Sequence, residues 1–168
     1  GGSAGIAATL TARNFGARCL MLEGHKVGGD CTWSGCVPSK SLIKASHSVH
    51  AAAEASQLFG VKGVAEPPKA DLAKVMDYVQ QKIDIVAKHD LETLENNQVP
   101  LRHGHAVFTG SHTIKLTAQD AGVEAETITS RVFILCLGAK PSAPPISGLD
   151  SVSHYTYETI FGMRVAPR

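Results

Sequence analysis

The sequence predicts an α/β chain: a βαβ sheet with inserted helices and a three-stranded β-meander, its first strand missing. Three observations carry that expectation. Glycines at positions 2 and 5 open a helix-forming run that leads into a short apolar segment closed by a glutamate. Two long stretches free of glycine and proline follow, over residues 39–56 and 71–95. Beyond residue 98 the apolar residues fall into short segments separated by turn-forming residues, the pattern of β-hairpins.

The first element is set by Gly1-Gly2-Ser3-Ala4-Gly5. Gly-x-Gly-x-x-Gly before a helix is a dinucleotide fingerprint. Gly2 and Gly5 match its second and third glycines if another glycine precedes residue 1, so the chain is expected to start inside a phosphate-binding turn. Residues 6–15 then read as a helix and residues 18–22 as a buried parallel strand, with Glu23 at its end. In the fingerprint, amides near Ser3 and Ala4 face a pyrophosphate at the helix N-terminus. Gly5 lets helix and sheet approach, and Glu23, about 20 residues on, takes ribose hydroxyls. An ordinary exposed carboxylate is the plain alternative for Glu23.

The second feature is Gly28-Gly29-Asp30-Cys31-Thr32-Trp33-Ser34-Gly35-Cys36-Val37-Pro38-Ser39-Lys40. Pro38 suits a first helical turn, where its missing N–H is not needed. Cys36 is therefore expected at a helix N-terminus, where the dipole favours a thiolate, and Cys31 on the loop before it. Gly35 lets the chain turn back so the two sulfurs can meet. The cysteine spacing alone also fits a structural disulfide or a metal pair, though zinc needs about four ligands. Cys19 and Cys136 lie in apolar, strand-like runs and read as small buried residues.

The remaining elements follow in order. Residues 60–68 read as a loop. Residues 71–95 read as a helix capped by Asp71, with Leu72, Val75, Met76, Val79, Ile83, Val86, Leu91 and Leu94 at mostly helical spacing. Short strands are expected at residues 99–102, 106–108, 113–116 and 123–128, with turns at 109–111 and 120–122. Residues 131–136 read as a buried strand, and Pro141, Pro144 and Pro145 as an extended loop.

The formal net charge is +1, which gives no basic surface for nucleic acid. No run approaches the ~20 apolar residues of a membrane helix. Four cysteines in the chain suit a soluble reducing compartment better than secretion.

The string from Gly28 to Lys40 resembles the active-site segment of the flavin-dependent pyridine nucleotide–disulfide oxidoreductases, the family of dihydrolipoamide dehydrogenase and mercuric reductase. The resemblance implies that residues 1–168 are a Rossmann-like FAD-binding domain cut at both ends, without the NAD(P)-binding and dimerisation domains. It implies FAD as cofactor and NAD(P)H as co-substrate. Cys36 would be the flavin-side sulfur and Cys31 the sulfur that meets substrate. Gly2, Ser3, Ala4, Gly5, Glu23, Gly29 and Asp30 would contact the cofactor. So would Lys40 near the reactive ring edge, Ala106 through its backbone at the adenine, and Gly138 where the chain passes close by.

Three positions depart from the family pattern: Asp30 and Leu137 stand where threonine is usual, and Trp33 where a small or amide side chain is common. The implied substrate is a small molecule, either a disulfide, a metal ion or a quinone-like acceptor. A homodimer is implied, whose partner subunit supplies an acid–base pair absent from these residues. Two other expectations compete: a non-catalytic FAD-binding fragment, and a flavin-free redox-sensing disulfide protein.

Overall fold

Helix α1 (Ser3–Asn14) starts from Gly2, whose extended backbone offers no side-chain cap. In the computed structural model, residues 1–64, 68–118 and 124–167 are described. They fall into two compact units, Gly1–Gly29 with Ala87–Ala139, and Asp30–Val86 with the segment from Lys140 onward.

In the first unit, strand β1 (Met21–Glu23) pairs in parallel with β2 (Leu101–His103), in the register Met21 to Leu101 and Glu23 to His103. The strand expected over residues 18–22 is thus shorter and starts later. Its partner offers only three residues, and Arg18 and Leu20 are exposed. The strand expected at 99–102 is likewise shifted. Val99 instead closes the end of the preceding helix, its N–H donating to the Leu94 carbonyl at 2.9 Å. Met21, Val27, Leu94 and Val99 form the core of this unit, with Ile6 and Leu10 of α1 packed on it.

The meander forms, but β3 runs on through residues 109–110 where a turn was expected, and β5 starts at Glu126. Strands β3 (His105–Gly110), β4 (Thr113–Thr117) and β5 (Glu126–Thr129) lie in that order, all antiparallel. Ile114 and Leu116 are its buried residues. The turn expected at 120–122 and the start of the strand expected at 123 lie outside the described residues, as does part of the loop at 60–68.

Residues 131–136 form no strand. Val132, Ile134 and Leu135 are exposed at 72%, 61% and 63%, so an apolar run expected to be buried faces solvent. A strand exists only with a ladder partner, and none of the described strands pairs with this run. Two contacts still tie it to the unit: Phe133 meets Phe108 edge-to-face at 4.9 Å between ring centres, and the Cys136 Cβ lies beside Gly5.

The second unit is helical. Helix α2 (Gly29–Trp33) is a single short turn, and α3 (Cys36–Phe59) ends on Gly60 in the left-handed conformation. Helix α4 (Leu72–Asn96) begins at the expected cap. The Asp71 carboxylate accepts the N–H of Ala73 at 2.9 Å and of Lys74 at 3.3 Å. Met76, Val79 and Ile83, spaced three and four residues apart, form the core here. Trp33, Val37, Phe161 and Met163 pack on it, which gives Trp33 a structural role. Two 3-10 turns, Leu149–Ser151 and Ile160–Gly162, are the only regular structure among the described residues after β5.

Candidate active site

The glycine turn lies wholly in the first unit. Gly2 bridges to Gly28, and the Gly28 N–H donates to the Gly1 carbonyl at 2.8 Å. Gly29 has φ +57°, and a Cβ there would sit 2.8 Å from the Gly2 Cα. No side chain larger than hydrogen fits between these two backbones. Ser3 and Ala4, the first residues of α1, are exposed. Their amides have no carbonyl one turn back to accept them, and Gly2 supplies no capping side chain. Gly5 faces Cys136 with its missing Cβ 3.6 Å away. An uncapped twelve-residue helix end behind a side-chain-free cradle fits a pyrophosphate.

Glu23 closes β1. One carboxylate oxygen accepts the His25 N–H at 2.6 Å, and the other lies 2.8 Å from the Gly1 backbone nitrogen. The Gly104 N–H donates to the Glu23 backbone carbonyl at 2.9 Å. Gly104 is buried with φ +154°, and a Cβ there would run into the Thr117 carbonyl. The His105 ring lies 3.4 Å from a Cβ placed on Gly24. The Gly104-His105-Ala106 turn therefore stands at the Glu23 end of β1. Ala106 is an exposed residue of β3, paired with Leu116. Sequence reasoning had the two segments separately, while the Glu23–Gly104 hydrogen bond that joins them is a product of parallel pairing. Gly138 is exposed at φ +72° with open space around it, so the structure gives it a left-handed turn and no close neighbour.

The dithiol lies in the second unit. Cys36 is the first residue of α3, with Gly35 as its N-cap. Cys31 lies within α2 rather than on a loop, because residues 30–34 close a helical turn: the Ser34 N–H donates to the Asp30 carbonyl at 3.0 Å. Gly35 reverses the chain. A Cβ there would lie 2.8 Å from the Asp30 carbonyl oxygen, so only glycine lets the two helices meet at this angle. Thr32 and Ser34 between the cysteines are buried. Cys36 is exposed and Cys31 half-buried.

The Cys36 thiol is pushed above its ordinary value of 9.0, first by its hydrogen bond with Cys31, then by desolvation and the charge on Cys31. The charge of Lys40, one turn along α3, and a backbone hydrogen bond pull the other way. Contact with Cys31 thus opposes the thiolate that a helix N-terminus favours at Cys36.

Asp30 precedes Cys31 and is exposed. The Tyr157 phenol forms a side-chain hydrogen bond with its carboxylate. No sequence signal marked Tyr157, which lies in an irregular stretch far along the chain. His47 and His50 are exposed on α3, and His50 lies 3.7 Å from Glu54. No cluster of three metal-ligating side chains occurs among the described residues, and no helix is long and apolar enough to cross a membrane.

A parallel strand pair behind a glycine turn, followed by a dithiol at a helix start, defines an α/β redox protein of the dinucleotide-binding kind. The pyridine nucleotide-disulphide oxidoreductase family model matches residues 1–164, and the chain belongs to that family of oxidoreductases. It is similar to a mercuric reductase of Streptomyces lividans, 30% identical over 99% of this chain and 34% of that protein. A mitochondrial dihydrolipoyl dehydrogenase of Dictyostelium discoideum is 27% identical over 100% of this chain and 34% of its own length. The fold is shared with a HOCl-induced flavoprotein disulfide reductase from Escherichia coli, solved as its Cu(II) complex. There the TM-score is 0.72 at 19% identity, over 97% of this chain and 33% of that one. The chain spans about a third of the length of these relatives.

Proposed function

We propose that residues 1–168 are the FAD-binding part of an oxidoreductase that passes electrons from NAD(P)H to the Cys31–Cys36 pair and on to a disulfide or a metal ion. The observation that carries this reading is the placement of Cys31 in α2 and Cys36 at the start of α3, with Gly35 turning the chain between them: two thiols so placed can close into a disulfide and reopen. FAD, bound in this family, supplies the two-electron exchange between nicotinamide and dithiol. Gly2, Ser3, Ala4, Gly5 and Gly29 would hold its pyrophosphate, and Glu23 and the Ala106 backbone its adenosine end. Asp30, Lys40 and Gly138 complete the proposed contact set.

With a disulfide substrate, Cys31 attacks one substrate sulfur and a thiolate leaves. Cys36 then attacks the Cys31 sulfur, releasing the second substrate sulfur and closing Cys31–Cys36. Two electrons pass to the substrate, and the proton held by Cys36 goes to a departing thiolate. With a metal ion, both sulfurs bind it and the same two electrons reduce it. A homodimer and a reducing compartment belong to the same proposal.

The test is anaerobic two-electron reduction of the complete gene product. A long-wavelength absorbance band that Cys36→Ser removes is the expected result. Flavin bleaching without that band would leave a plain flavoprotein, with the dithiol uncoupled.

A further inference from the structure

Two helical stripes face one another within the second unit. On α3, Val37, Lys40 and Lys44 recur at helical spacing. On α4, Tyr78, Lys82 and Ile85 do the same. They line one cleft of about 340 Å³. Three ammonium groups border it and no carboxylate does. Lysines on one face at i and i+4 repel each other, so the cleft holds unbalanced positive charge.

The wall beneath is apolar. Ile85 is 55% exposed, and the Lys82 ammonium lies 5.2 Å from the centre of the Tyr78 ring. Elsewhere in this unit Arg164 is paired with Asp77. Among the described residues no carboxylate pairs with Lys40, Lys44 or Lys82.

We infer that the cleft between α3 and α4 binds an organic carboxylate with an apolar body, its anion held by Lys44 and Lys82 and its body laid on Tyr78 and Ile85. A bare anion would find charge but leave Ile85 wet. An apolar cation would cover Ile85 but meet three like charges. Only a ligand carrying both features satisfies the site. Val37 and Lys40 place the cleft in the first two turns of the helix that begins at Cys36, so its occupant would sit alongside the dithiol helix. The inference goes beyond the proposed electron route; Lys40, which that route gives to the cofactor, only borders the cleft, and the anion is held by Lys44 and Lys82.

The test is calorimetric titration of the full chain with hexanoate, hexylamine and sulfate, with and without FAD. Hexanoate should bind saturably, and the Ile85 methyl resonances should shift on binding. Lys44→Glu and Lys82→Glu should each weaken it at least tenfold, while Arg13→Glu, the same charge change on α1, should not. Should the half-buried Lys82 variant fail to fold by circular dichroism, Lys82→Gln and Lys44→Gln replace the pair and should weaken binding severalfold. Binding of sulfate or hexylamine as strong as hexanoate would overturn the assignment. So would hexanoate affinity indifferent to both lysines, or its complete displacement by FAD, which would make the cleft part of the flavin site.

Discussion

The Tyr157 phenol is hydrogen-bonded to the Asp30 carboxylate, the residue directly before Cys31. Asp30 stands where the family usually has threonine, and its charge would oppose a bound pyrophosphate if left free. The phenol gives that carboxylate a partner. Tyr157 in turn is pushed above its ordinary 10.0 by desolvation first, then by the charges of Asp30 and Glu158 and by the hydrogen bond.

Asp30→Asn should therefore lower the Tyr157 titration midpoint, read as phenolate absorbance against pH with Tyr157→Phe as the blank. The sign follows from linkage. A phenol raised in the folded state adds stability below about pH 10, the free value, and that stability is lost as pH climbs through the folded value. An unmoved midpoint in Asp30→Asn would refute the contact.

Cys36 should alkylate slowly at neutral pH, because its raised value leaves little thiolate. The rate should climb roughly tenfold per pH unit until the midpoint above 9.0 is reached. Cys31→Ala removes the largest raising cause and should move the midpoint down, whereas Lys40→Met removes a lowering one and should move it up. Iodoacetamide rates followed by mass spectrometry separate these directions.

Gly29→Ala should destabilise the chain by about 2 kcal/mol or more, combining left-handed strain with a backbone collision. Gly63→Ala, at φ +87° in open space, isolates the strain alone and should cost about 1 kcal/mol. Urea midpoints give the comparison, and equal losses would show that the Gly2–Gly29 approach is not tight.

Asp71→Ala should cost about 1 kcal/mol through two lost N-cap hydrogen bonds. Asp71→Asn should recover most of it, since an amide oxygen accepts the same N–H groups. Urea denaturation at neutral pH measures both.

The helix beginning after Asp71 was legible because its signals are local: a capping carboxylate, apolar residues three and four apart, and no glycine or proline before Asn96. The meander was legible for the same reason, with turn residues between short β-prone runs. Residues 131–136 were misread because an apolar run states only that it prefers burial, and a strand requires a neighbour that composition does not supply. Cys31 was placed on a loop because a single helical turn has too few residues to show a period. The Asp30–Tyr157 and Glu23–Gly104 contacts join positions far apart in the chain, and no residue spacing encodes them. The cleft of Lys44 and Lys82 was hidden likewise, since each lysine alone is an ordinary solvated side chain.

The segment after Lys140 has almost no regular structure, yet Phe161 and Met163 pack on the Met76–Val79–Ile83 core. Arg164 bonds to Asp77 and to the Ala73 carbonyl. Covalent continuity is thus not what keeps this tail in place. A chymotryptic nick after the exposed Tyr155 should leave a chain that elutes as one species and separates into two only in denaturant. The released peptide should rebind its parent, and Arg164→Ala should loosen that grip while Met163→Asp abolishes it.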